Sequence, residues 1–266
     1  MLPYDYHMHT PLCGHATGTP EEYVKQAVKL GLKEIGFSDH APMVHKPMPG
    51  ITMTLEELPK YNAMIEDVRQ RFAHQISIKI ALESDFLPGY ESKTKSIIDS
   101  YPYDYIIGSV HFIDDWAFDD PACREYWKKY DVNVVYRKYY SLLRQSARTG
   151  FFQIIGHCDL PKKFGARPSE DLTDEIKATA KVFKDTGVSI EINTAGLRKP
   201  VEEMYPAPDC LKIYRQAGVP LAFGSDAHQP SDLGKDFDKA IDLARSAGYD
   251  EYLVFKQKKI EKKIKI

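Results

Sequence analysis

YDYIIGSVH, residues 103–111, is a short apolar run that ends in a glycine turn and a histidine. A run of this length, rich in aromatic and branched residues, reads as a parallel strand covered on both faces. His111 then stands where the buried strand emerges from the core. The same pattern recurs along the chain in PYDYHMH (3–9), KEIGFSDH (33–40), ISIKIALE (76–83), FQIIGHCD (152–159), VSIEINT (188–194) and VPLAFGSD (219–226). Between these seven strands lie segments with helical spacing: PEEYVKQAVKLG (20–31), LEELPKYNAMIEDVRQRFAH (55–74), VNVVYRKYYSLLRQSARTG (132–150), DLTDEIKATAKVFKDTG (171–187) and KDFDKAIDLARSAGYD (235–250). Pro20 opens the first of them and Gly31 stops it. Strands alternating with helices predict an α/β fold with a parallel sheet, either a closed barrel or an open doubly wound one.

The polar residues at the strand ends favour the barrel, where chemistry gathers at the C-terminal tips of several strands at once. His7 and His9 end the first strand, His40 the second, Glu83 the third, His111 the fourth, His157 the fifth, and Asp226 with His228 the seventh. His7 and His9, two apart on a strand, project to one face and can grip one ion. Asp226 and His228 have the same spacing. Glu83 shares its face with Lys79 and Ala81, and its two oxygens can bridge two cations. His15, in the glycine-flanked loop PLCGHATG, is close enough to fold back over the site. Asp5 reads as support beneath the site, and Asp39 as a carboxylate that orients a ligand or caps a helix. Each residue alone has a plainer explanation, but polar groups at nearly every strand end are costly unless they converge. Nine ligands exceed what one tetrahedral ion uses, so two or three divalent metals are expected. Nitrogen and oxygen donors without thiolates suit zinc, iron or manganese.

Composition narrows the possibilities further. The 266 residues, 43% hydrophobic and 12% aromatic, are enough for one domain spanning 1–266 with a large core. A net charge of −2 and a pI near 6.5 provide no basic field for nucleic acid or an anionic membrane. No leader-like start and no spanning apolar run occur, which together predict a soluble, cytoplasmic protein. Cys13, Cys123, Cys158 and Cys210 are scattered and read as reduced thiols. His45 lies in a proline-rich loop and His74 near a helix end, away from the other histidines. The lysine-rich end KQKKIEKKIKI reads as a solvated terminal strand or tail.

The order HxH, SDH, strand-borne Glu, GSVH, GH and SDAH resembles the PHP family, named for polymerase and histidinol phosphatase domains. The longer strings HTPLCGHA, GHCDLPKKFG, NTAGLRKP and EMYPAP are similar to its long-form histidinol-phosphate phosphatases. The resemblance implies a distorted seven-stranded (β/α) barrel with a trinuclear site. It implies that His7, His9, Glu83 and Asp226 hold the first metal, and that Glu83 bridges to a second completed by His111 and His157. His15, His40 and His228 would hold the third. The implied reaction is hydrolysis of L-histidinol phosphate, a small-molecule substrate, by in-line attack of a metal-bridging hydroxide on phosphorus.

Around that centre, Arg198 in NTAGLRKP is the first candidate for a bidentate phosphate contact, with Lys162 and Lys163 behind it. Trp116 is a candidate to stack on the substrate imidazole, and Asp115 or Asp119 to receive its ammonium; inward packing of Trp116 is the plainer alternative. Asp226 or a metal-bound water would protonate the leaving alkoxide. The same ligand set would also serve a PHP phosphoesterase acting on a phosphotyrosine or nucleotide ester, or a non-catalytic metal-binding barrel. The intact ligand set disfavours the last.

Overall fold

Seven short parallel strands form one sheet in a computed structural model that describes residues 2–266. The first four are β1 (Tyr4–Asp5), β2 (Glu34–Phe37), β3 (Ser77–Asp85) and β4 (Tyr105–Ser109). After the small hairpin β5 (Phe112–Ile113) and β6 (Trp116–Ala117) come β7 (Ile154–Ile155), β8 (Ser189–Asn193) and β9 (Leu221–Gly224). Their spatial order is their sequence order, with the hairpin outside the sheet. The Tyr6 N–H donates to the Phe223 carbonyl at 3.2 Å, and Met8 bridges Ala227 in parallel. The last strand thus returns to the first, and the sheet is a nearly closed, distorted barrel.

Helices α1 (Pro20–Leu30), α2 (Leu58–Arg71), α3 (Glu91–Ile98), α4 (Val132–Arg148), α5 (Thr173–Thr186), α6 (Pro208–Ala217) and α7 (Phe237–Ser246) fill the connections. In α1, Thr19 and Glu22 cap one another's backbone N–H, Pro20 sets the first turn, and Gly31 ends the helix in the left-handed region. Helix α4 buries Val135, Tyr136, Tyr139, Tyr140, Leu143 and Ala147, spaced by one, three and four residues, so a single stripe faces the sheet. Among the described residues, no helix is long and apolar enough to cross a membrane.

All seven strands expected from sequence are present, six of them shorter than the apolar run that announced them and β3 extending past its run to Asp85. Helices α3 and α6 were not anticipated, and neither was a C-terminal hairpin of β10 (Glu251–Lys256) and β11 (Lys259–Lys265). The hairpin closes the end of the barrel opposite the histidines. Tyr252 packs edge-on to Tyr4 and Phe223, and Lys79, buried inside the barrel, pairs with Glu261 at 2.8 Å. The exposed lysines of β11 are solvated as expected, while Tyr252–Phe255 of β10 are core. Above this floor, the Tyr105 hydroxyl donates to the Tyr6 carbonyl at 2.6 Å. A Cβ at Gly36 would lie 1.9 Å from that hydroxyl, so position 36 has no room for a side chain.

Candidate metal centre

The chain leaves β1 still extended, held to the β9 end by His9 N–H to the Ala227 carbonyl at 2.9 Å and Ala227 N–H to the His7 carbonyl at 3.2 Å. That pairing turns His7 and His9 inward, both fully buried, with ring centroids 5.2 Å apart. Asp5 lies below them and accepts from the backbone N–H of Ser225 at 2.9 Å and Gly234 at 3.0 Å, so it braces the last loop.

Glu83, 2% exposed at the end of β3, is the centre of the cluster. Its Oε2 faces His40 Nδ1 at 3.0 Å, His7 Nε2 at 3.3 Å and His9 Nε2 at 3.7 Å. Its Oε1 faces His157 Nε2 at 2.9 Å and His111 Nε2 at 3.7 Å, and accepts from the Ser109 hydroxyl at 2.6 Å. The two oxygens therefore serve two separate groups of histidines. Asp226 Oδ1 lies 3.1 Å from His9 Nε2 and 3.8 Å from His7 Nε2. Ligand atoms of His7, His9 and Asp226, of His40, Glu83 and His111, and of His9, His40 and His228 each converge within 4.8 Å. His40 belongs to two of these groups and lies between them.

Two features fit cations at this place. His15 Nδ1 faces the carbonyls of Cys13 and Gly50, both at 3.2 Å, and His228 Nδ1 faces the Asp226 carbonyl at 3.1 Å. A nitrogen facing only acceptors carries the proton, so in each neutral ring Nε2 presents a lone pair. Those two Nε2 atoms are 3.0 Å apart. Burial, then the neighbouring His40 and His9, hold His15 down to about 4, and burial with His9 drives His228 well below its usual value, so both rings are neutral at pH 7. Facing lone pairs repel unless a cation lies between them. His7 Nε2 is likewise buried without a hydrogen-bond partner.

The opposite nitrogens of three rings rest on carboxylates. His7 Nδ1 meets Glu191 at 2.9 Å, His9 Nδ1 meets Asp39 at 3.3 Å, and His111 Nδ1 meets Asp85 at 3.0 Å. Such partners fix which nitrogen is free to bind a metal. Without metal, burial opposes protonation of His9 and His111, but Asp226 and Asp39 raise the first to about 9, and Asp85 and Asp119 raise the second to about 10. Asp39 thus faces the ring of His9, the arrangement its first expected role requires. Glu191, Asp85 and Asn193 were not singled out in the sequence. The available signal for two of them was β8, where Glu191 and Asn193 lie two apart on the only barrel strand that had no ligand assigned.

A cavity of about 650 Å³ opens over the cluster, lined by Glu83, His111, His157, Asp226 and His228 and, on its far wall, by Asp119, Arg124, Lys163, Phe164, Lys199 and Tyr205. A larger apolar hollow of about 1160 Å³ between the 42–55 segment and helices α2 and α3 holds none of the metal-facing groups. Several sequence expectations for the wall change. Lys162 is buried and tied to Asp159, Glu203 and the Met204 carbonyl at 2.7–2.8 Å, leaving nothing for substrate; Lys163 lines the cavity instead. Trp116 is turned away from the cavity, stacked on Tyr130 at 4.5 Å and edge-on to Trp127, because the hairpin β5–β6 folds it inward. Asp115 is exposed and outside the cavity, whereas Asp119 lines it and pairs with Lys163 at 2.9 Å. Arg198 clamps the carbonyls of Ser225, at 2.6 Å, and Asp226, at 3.4 Å; its Nη1 is buried without a partner. Lys199, lowered by burial, is a cavity cation that the sequence reading passed over in favour of its neighbour. Cys13 and Cys158 are buried free thiols, and burial pushes Cys13 up to about 12; a Cys13 ligand atom nevertheless converges with those of His9 and Asp39 within 4.8 Å.

Residues 5–195 match the model of the PHP domain. This chain belongs to the PHP domain family. Over 97% of its length it is 42% identical to a probable histidinol-phosphatase of Deinococcus radiodurans, covering 98% of that protein. A histidinol-phosphatase of Bacillus subtilis is 29% identical over 91% of this chain and 99% of its own. Among solved structures, the histidinol phosphate phosphatase of Lactococcus lactis, complexed with zinc, L-histidinol and phosphate, superposes with a TM-score of 0.85 at 27% identity, covering 98% of this PHP chain and 100% of the other.

Proposed function

We propose that this chain is a metal-dependent phosphomonoesterase that hydrolyses L-histidinol phosphate to L-histidinol and inorganic phosphate. The observation that carries the reading is Glu83, whose two oxygens face separate histidine groups at the floor of a cavity walled by cations. Full-length similarity to a histidinol phosphate phosphatase solved with zinc, L-histidinol and phosphate supports the substrate.

His7, His9, His15, His40, Glu83, His111, His157, Asp226 and His228 would hold two or three divalent ions, zinc, iron or manganese, in a trinuclear arrangement if three are bound. When bound, such ions acidify water and withdraw charge from phosphoryl oxygens. The chain's own groups do the rest. Lys163 and Lys199 offset the phosphate charge from the cavity wall, whereas Arg198, the first candidate from sequence, does not line the cavity and would have to bring its buried, unpaired Nη1 out to a phosphoryl oxygen. Burial disfavours ionisation of Asp226, but His7, His9 and His228 hold it well below the usual carboxylate range. It is therefore ionised and able to accept a proton from the attacking water, and Asp226 or a metal-bound water would protonate the leaving alkoxide. Asp119 is the carboxylate on the wall suited to the substrate's ammonium, since Lys163 and His111 outweigh burial and bring it down to about 2. Four free cysteines accord with a reducing cytoplasm, the location proposed here.

The test is phosphate release from L-histidinol phosphate beside sugar, nucleotide and tyrosine phosphates, with metal-replete protein. A kcat/KM for histidinol phosphate at least about 100-fold above the others is expected, the size of about 2.7 kcal/mol of added recognition. Equal or faster turnover of another ester would overturn the substrate while leaving a metal-dependent hydrolase.

A further inference from the structure

We propose that Glu191 is the positioning residue of the metal centre: it sets which nitrogen of His7 faces the metal and fastens His157 and Asp226 beside it. The inference rests on reading those three residues as metal ligands, and not on the identity of the phosphoester.

Glu191 is 1% exposed on β8. Every group that meets its carboxylate is a donor. His7 Nδ1 lies 2.9 and 3.1 Å from its two oxygens, the His157 backbone N–H donates at 3.0 Å, and Asn193 Nδ2 donates at 2.8 Å. Asn193 Nδ2 gives its second hydrogen to Asp226 Oδ2 at 3.2 Å. No lysine or arginine is among these contacts. A buried carboxylate without such a partner is a poor source of stability, yet all its contacts lead to candidate ligands.

The chemistry at His7 follows from donor and acceptor count. With Nδ1–H held by Glu191, Nε2 is the nitrogen left for a metal, and it lies toward Glu83 and Asp226 without a hydrogen-bond partner. At His157 the carboxylate secures a backbone with φ of +23°, sparsely populated for a non-glycine residue. Neighbouring strands are pared down to admit it. A Cβ on Gly224 would fall 2.6 Å from Glu191 Oε2 and 2.5 Å from His7 Cβ, and one on Gly156 would crowd the Ser109 hydroxyl at 2.7 Å. Asp39 and Asp85 each orient one histidine; Glu191 reaches two ligands directly and a third through Asn193.

Glu191→Gln tests this with little change of shape. The amide oxygen can still accept from His157 and Asn193, but the amide nitrogen then faces His7 Nδ1 as a donor. That moves the ring proton to Nε2, the atom needed by the metal. Zinc affinity, read by competition with a chromophoric chelator, is expected to fall about 10- to 100-fold for one equivalent, and the zinc-induced rise in melting temperature to shrink. The metal-free melting temperature stays near that of the parent, and Glu191→Asp, which keeps the charge, recovers part of the affinity. Parental zinc affinity and stoichiometry in Glu191→Gln would overturn the proposal. Should that variant fail to fold, nitrogen-15 spectra of the zinc-loaded parent decide: a His7 proton on Nδ1 supports the assignment and one on Nε2 sinks it. These readings involve no phosphoester. A parent that binds zinc as expected but does not hydrolyse histidinol phosphate would remove the proposed substrate and leave the role of Glu191 standing.

Discussion

His9 and His111 are proposed to turn Nε2 to a metal, yet without one the surrounding carboxylates, outweighing burial, raise them to about 9 and about 10. Both values lie above the ordinary 6.5, so their ion pairs contribute fully below pH 6.5 and are lost as pH rises through 9 to 10. A metal displaces those protons, because only the neutral ring is a ligand. Zinc binding at pH 7.5 is therefore expected to release about two to three protons, counting His7, which its neighbours Glu191, Asp226 and Glu83 also raise against the pull of burial. Calorimetric heats in Tris and in phosphate would then differ in proportion to buffer ionisation enthalpy; equal heats would show the rings neutral beforehand. The clustering of the histidines was legible in sequence because histidine at a strand tip is chemically conspicuous. The carboxylates behind them were not: Glu191 inside VSIEINT reads as an ordinary strand residue until the fold shows that it faces His7.

Lys162 and Lys163 show why local geometry limits such reading at the scale of an element. Both lie in the 3₁₀ segment Leu160–Phe164, where alternation of faces gives no guidance, and the fold buries one while presenting the other to the cavity. Strand parity, by contrast, correctly placed His7 with His9 and Glu83 at the mouth. The hairpin β5–β6 is a second example. Its sequence, FIDDWA, suggested an aromatic wall, but a two-residue turn at Asp114–Asp115 swings Trp116 onto Tyr130, Trp127 and Phe118. Trp116→Ala is thus expected to cost about 3–5 kcal/mol of stability, as for other large buried aromatics, while preference for histidinol phosphate over simple phosphomonoesters stays unchanged. A denaturant titration beside a two-substrate kinetic comparison checks both halves. Lost discrimination at unchanged stability would return Trp116 to the substrate.

For the whole molecule, the βα rhythm was enough to give seven parallel strands in order, because each strand is a short apolar run with a helix after it. That rhythm stops after α7, the last helix expected from the sequence. Strand β10 has no following helix, and the exposed lysines of β11 mask the fact that the pair forms the floor of the barrel. Tyr252, Leu253, Val254 and Phe255 are all at most 4% exposed. At about 1.5–3 kcal/mol for each large buried side chain, they contribute about 6–12 kcal/mol, close to the whole stability of a typical domain of about 5–15 kcal/mol. Glu261 also pairs with Lys79, which is only 5% exposed in the barrel interior. Ending the chain at Asp250 removes the apolar floor and that ion pair together, although no residue of the metal centre is touched. The truncated protein is expected to lack a cooperative thermal transition and to aggregate, with zinc unable to restore it. A shortened chain that melts within a few degrees of the parent would mean that the seven-stranded sheet closes on its own. The hairpin would then be a cover on a barrel already stable, rather than part of what makes it fold.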